Sequence, residues 1–71
     1  MPRNAMDISL NGAAKNLEDG CTVLSLLYGL NYGKSKTAVW VNKKQLLFGE
    51  YESHVLLPGD EVRIVRLFGG G

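Results

Sequence analysis

Apolar and polar positions alternate at the start of the chain, with Ile8 and Leu10 set between Asp7 and Ser9. That period of two predicts a half-buried strand. Asn11-Gly12 follows, a pair suited to a two-residue hairpin turn. Residues 13–17 return as a second strand with Leu17 facing the core, and Glu18-Asp19-Gly20 closes it. The period then changes. Val23, Leu26, Leu27 and Leu30 recur at i, i+3, i+4 and i+7, one apolar face of a short helix. Thr22 supplies its N-cap, and Ser25 stands where a reciprocal capping box needs Glu, so the cap is single-sided.

Residues 31–36 read as a loop, and 37–42, rich in Val with one Trp, as the clearest strand. A shorter strand is expected at 45–48, joined through Lys43-Lys44, and a turn or short helical segment at 49–54. Leu57-Pro58-Gly59-Asp60 is a tight turn. A last strand, 61–68, runs into Gly69-Gly70-Gly71. Residues 1–5 precede the strand pattern and read as an extension, leaving a domain over 6–68 and a flexible glycine tail over 69–71.

One helix covering one face of a mixed sheet is an α+β, two-layer arrangement. Its predicted core is Ile8, Leu10, Val23, Leu26, Leu27, Leu30, Val39, Val41, Leu56, Val62 and Ile64. The same alternation turns Ala38, Trp40, Arg63 and Val65 away from the helix. An apolar surface with an arginine beside it is a candidate docking site for a partner protein.

Composition narrows the function. Seventy-one residues suffice for one thin core and leave little material for a deep pocket. A net charge of +1 lacks the basic footprint of a nucleic-acid binder. No apolar run approaches the ~20 residues that span a bilayer, and the first ten residues have no signal-peptide core. Cys21 is the single cysteine, which excludes an intramolecular disulfide and fits a cytoplasmic protein.

The catalytic inventory is thin. His54 is the one histidine and belongs to no metal or nucleophile motif, so no metal site is expected. Cys21 lies just before the helix, where a dipole can lower a thiol pKa, but its plainer reading is a small packing residue. Asp60 and Glu61 are adjacent and point to opposite faces of a strand, which rules out an acid/base pair. Gly33-Lys34-Ser35 lacks the upstream glycines of a phosphate loop. The exception is the ending. Three glycines can be a frayed end or a cloning remnant. They can also be a working tail, because residues without Cβ pass a narrow channel, and a terminal carboxylate of pKa about 3.5 is ionised at neutral pH.

Asn11-Gly12, Thr22-Val23 with Leu26-Leu27, the strand 38–42, Tyr51, Leu56, Gly59-Asp60 and the terminal Gly-Gly occur in an order and spacing that resembles the ThiS family of β-grasp sulfur carriers of thiamine biosynthesis. The resemblance covers residues 6–71; it departs in having three glycines, Lys43 where glycine is common, and Tyr51 where Trp is common. It implies a ubiquitin-like fold and a carrier that is not itself an enzyme. Gly71 would be the acyl-adenylate and thiocarboxylate site, with Gly69 and Gly70 as its lead. Trp40, Arg63, Val65, Arg66 and Phe68 would meet the partners. A ThiF-like adenylyltransferase would use ATP, a sulfur donor system would supply sulfur, and a ThiG-like thiazole synthase would accept it. The carrier would bind no cofactor, nucleic acid or membrane and would be monomeric alone. The small subunit of molybdopterin synthase, another pathway's sulfur carrier, a ubiquitin-like modifier and a plain interaction module stay open at this point.

Overall fold

The computed structural model describes residues 5–33 and 36–67. In chain order they form β1 (Ala5–Leu10), β2 (Ala13–Glu18), α1 (Val23–Gly29), β3 (Thr37–Val41), β4 (Lys44–Gln45), a 3-10 turn (Phe48–Glu50) and β5 (Glu61–Arg66). The strands make one sheet in the order β2-β1-β5-β3-β4. β1 and β5 run parallel, and the other neighbours are antiparallel. β1 takes in Ala5, paired with Glu18, because the backbone ladder needs no apolar side chain there.

The turns follow their residues. Asn11 and Gly12 both adopt positive φ, 51° and 86°, as a hairpin joining Leu10 to Ala13 requires. Asn42 and Lys43 do the same at 52° and 72° between Val41 and Lys44. Lys43 is a side chain in a backbone region that costs roughly 1–2 kcal/mol for residues with a Cβ.

The helix is short, and neighbours satisfy its ends. Thr22 Oγ1 accepts the Ser25 N–H at 3.1 Å. The Val23 and Leu24 N–H groups donate to the carbonyls of His54 and Tyr51 at 3.0 and 2.8 Å. At the other end Leu30 is the C-cap, Asn31 turns left-handed at φ 63°, and the Asn31 and Tyr32 N–H groups donate to the Tyr28 and Leu27 carbonyls. This is a Schellman closure with Asn in the position glycine usually takes.

The core lies between α1 and the helix-facing side of the sheet: Met6, Ile8, Val23, Leu26, Leu27, Val39, Val41, Leu46, Tyr51, Leu56, Val62 and Ile64. Nine of the eleven core positions expected from periodicity are buried there. Leu10 and Leu30 are not; they pack half-buried at the margin, because each ends its element and faces a turn. Met6, Leu46 and Tyr51 join the core instead. Tyr51 is fully buried and donates its hydroxyl to the Thr37 carbonyl at 3.2 Å, so the one polar atom of its ring system is satisfied.

The strand expected at 45–48 shortens to Lys44–Gln45. Leu46 still donates its N–H to the Val39 carbonyl at 2.9 Å, but the Glu50 carboxylate accepts the Leu47 N–H at 2.8 Å and curls the chain into the 3-10 turn. The last strand ends at Arg66, and Phe68 lies outside the described residues.

Leu26 is 2% exposed, with the apolar groups of the core around it. Leu26→Ala should lower stability by about 2–5 kcal/mol. In so small a domain that consumes most of the margin. Chemical denaturation checks it: an unchanged midpoint would contradict this core.

Candidate functional site

Two parts of the molecule bear on function: the sheet face turned away from α1, and the end of β5. On the open face Trp40 lies directly across from Arg63, and Ala38 across from Val65. Gln45 flanks Trp40 on its other side. Trp40 is half-buried, Arg63 exposed, and Val65 40% exposed. These four residues are thus one contiguous patch, as the alternation of β3 and β5 required. Beside it is an open hollow of about 300 Å³ lined by Ser9, Asn11, Trp40, Lys43, Glu61 and Arg63.

Arg66 does not join that patch. Strand alternation puts it on the side of Ile64, and its guanidinium carbon sits 4.7 Å from the centroid of the Tyr32 ring. Leu67, the last described residue, donates its N–H to the Lys36 carbonyl at 2.7 Å. Phe68, Gly69, Gly70 and Gly71 lie outside the described residues. Sequence reasoning missed Tyr32. Tyr32 was hidden in a loop, though an aromatic two residues past a helix end is a recognisable closing position. The turn expected at Lys43-Lys44 is Asn42-Lys43 instead, because Lys44 pairs with Val41 as the first residue of β4.

A family model, that of the ThiS family, matches residues 7–71. The chain belongs to the ThiS family. A thiazole synthase of Magnetococcus marinus is 41% identical over 66 residues, which are 93% of this chain and 20% of that protein. The chain therefore spans about a fifth of the length of that curated relative. Among solved structures, the crystal structure of the thiamine biosynthesis protein ThiS from Geobacter metallireducens superposes with a TM-score of 0.79 at 23% identity, covering 93% of this chain and all of that one. The solution structure of a thiamine biosynthesis protein from the same organism gives 0.76 at 23% identity, with 93% and 88% covered. Those two likenesses establish the fold, the α+β β-grasp expected from the motifs.

Within this ThiS-family chain Cys21 and Asp60 have structural duties, and His54 contributes through its backbone. The His54 carbonyl holds the helix start. The Asp60 carboxylate accepts the Leu57 N–H at 2.9 Å and the Asn42 side-chain amide at 3.0 Å, which locks two turns together. Among the described residues no group of three His, Cys, Asp or Glu is placed to hold a metal ion.

Cys21 packs against the core, and its thiol donates to the Thr22 carbonyl at 3.4 Å. The first helical N–H groups already have the acceptors named above. Burial pushes the Cys21 thiol up, and the Glu18 carboxylate adds to the effect. A raised pKa means less thiolate at neutral pH, so alkylation of Cys21 should run slower than that of a free cysteine and accelerate at higher pH than free cysteine does. Glu18→Gln should speed it. Alkylation at neutral pH faster than free cysteine, followed by mass spectrometry, would contradict the packing role.

Proposed function

We propose that this chain is a sulfur carrier of thiamine biosynthesis, working at the Gly71 carboxylate. The observation that carries the reading is the family match, which runs over residues 7–71 and so takes in the glycine tail. In the first step a Gly71 carboxylate oxygen attacks the α-phosphate of ATP in a ThiF-like adenylyltransferase, and pyrophosphate leaves. Sulfide released by the donor system then attacks the acyl carbon as HS⁻, the C–O bond to AMP breaks, AMP leaves, and a thiocarboxylate results. A ThiG-like thiazole synthase accepts that sulfur. The Magnetococcus thiazole synthase, with its 41% identical segment, supports a partner of this kind. The carrier contributes an acyl group and a docking face and binds no cofactor of its own; the partners supply catalysis. We place it in the cytoplasm as a monomer.

Glycine suits the tail because any Cβ narrows its passage and restricts φ. Deleting Gly71 should leave the fold intact and draw the new carboxylate back by about 3.5 Å. Gly70→Val should introduce a β-branched side chain into the channel. Both should abolish pyrophosphate exchange with the cognate activating enzyme. Full exchange by the Gly71 deletion would move the site to Gly70, and full exchange after removing all three glycines would end the carrier reading.

The docking face is the Trp40, Arg63 and Val65 patch. Aromatic and arginine side chains anchor interfaces because each removes a large area from water. Trp40→Ala should weaken binding to the activating enzyme by tenfold or more, about 1.4 kcal/mol, while the melting curve stays cooperative. Unchanged affinity by calorimetry on a folded variant would reject this face.

A further inference from the structure

Tyr32 stands where the end of α1 meets the end of β5. The helix closure fixes its backbone, since its N–H donates to the Leu27 carbonyl at 2.9 Å and Asn31 before it makes the left-handed turn. Its ring packs on the margin of the core and presents a face to the Arg66 guanidinium at 4.7 Å. Arg66 is the last residue of β5 and pairs with Thr37. The next residue, Leu67, donates to the Lys36 carbonyl. Tyr32 and Lys36 belong to the same connection between α1 and β3. That connection therefore grips the end of β5 twice, through a side chain on one face and through the backbone along one edge.

The opposite edge is held differently. Among the described residues, pairing between β1 and β5 stops at Leu10 and Val62. The Asn11 side chain then bridges to Ile64, accepting its N–H at 2.8 Å and donating to its carbonyl at 3.2 Å. Past Ile64, Val65 and Arg66 pair with Ala38 and Thr37 of β3, and the α1–β3 connection adds its two contacts.

The geometry points to Tyr32 and Arg66 as a positioning pair that fixes where the chain leaves the sheet on its way to Gly71. This rests on the adenylation reading above. A carboxylate on a glycine lead reacts only when it reaches the α-phosphate, and a fixed root raises the fraction of time it does so. The pair lies on the face away from Trp40, Arg63 and Val65, so it acts on turnover and leaves docking alone.

Tyr32→Leu keeps apolar bulk and removes the ring face, whereas Tyr32→Phe keeps the ring face. In the full chain, Tyr32→Leu should speed hydrogen exchange of the Leu67 amide and lower kcat in pyrophosphate exchange, each by about two- to fivefold, the fold-change expected for loss of an exposed cation–π contact. KM for the carrier should not change, and Tyr32→Phe should match the parent. If Tyr32→Leu does not fold, Arg66→Gln serves in the same two measurements. Unchanged Leu67 exchange overturns the clamp itself. Faster exchange with parental kcat, or a change confined to KM, overturns its positioning role. A parent chain with no pyrophosphate exchange, but with Leu67 responding to Tyr32→Leu, contradicts the adenylation reading and leaves the contact purely structural, which also overturns the positioning role.

Discussion

The placement of β5 between β1 and β3 is the constraint on which the rest of this structure depends. β5 is the last strand in sequence and the central one in the sheet. It buries Val62 and Ile64, so α1, the only α-helix among the described residues, has something to cover. Two asparagine side chains extend its neighbours. Asn11 carries the β1 side on to Ile64, and Asn42 accepts the Glu61 N–H on its side-chain oxygen at 2.9 Å while its backbone N–H donates to the Glu61 carbonyl at 2.7 Å. The Asn11 side-chain amide can stand in for strand backbone because it carries the same donor and acceptor pair. A strand paired on both edges resists fraying, and β5 has a neighbour on each side.

On the proposed reading, the chemistry lies outside this domain. Among the described residues no group of three His, Cys, Asp or Glu is placed to hold a metal ion, and the His54 backbone carbonyl, Cys21 and the Asp60 carboxylate serve the helix start, the core and a turn. What the fold would then provide is a root and a face. The root is the end of β5, held by the α1–β3 connection. The face is the Trp40 and Arg63 side of the same strands, so one strand supplies both.

Much of this was legible in the sequence because one thin core imposes strict periods. The helix face at Val23, Leu26 and Leu27, and the inward set at Ile8, Val39, Val41, Val62 and Ile64, followed from spacing alone. So did the grouping of Trp40 with Arg63, since register on neighbouring strands fixes which side chains share a face. Three kinds of feature were not legible. Tyr51 and Leu46 are buried by long-range packing, which no local period records. The 3-10 turn at Phe48–Glu50 depends on the Glu50 carboxylate reaching back to Leu47, a choice that overrides the apolar run before it. The meeting of Tyr32 with Arg66 joins residues far apart in the chain through a helix closure and a strand end.

The central claim is that the working group is the chain's last carboxylate. The most direct measurement is the intact mass of the full chain after incubation with the cognate activating enzyme, ATP and a sulfur donor, with fragmentation to locate any change. The account predicts a gain equal to sulfur replacing one oxygen, confined to Gly71. An unchanged mass, under conditions in which the same enzymes convert an authentic carrier, would contradict it.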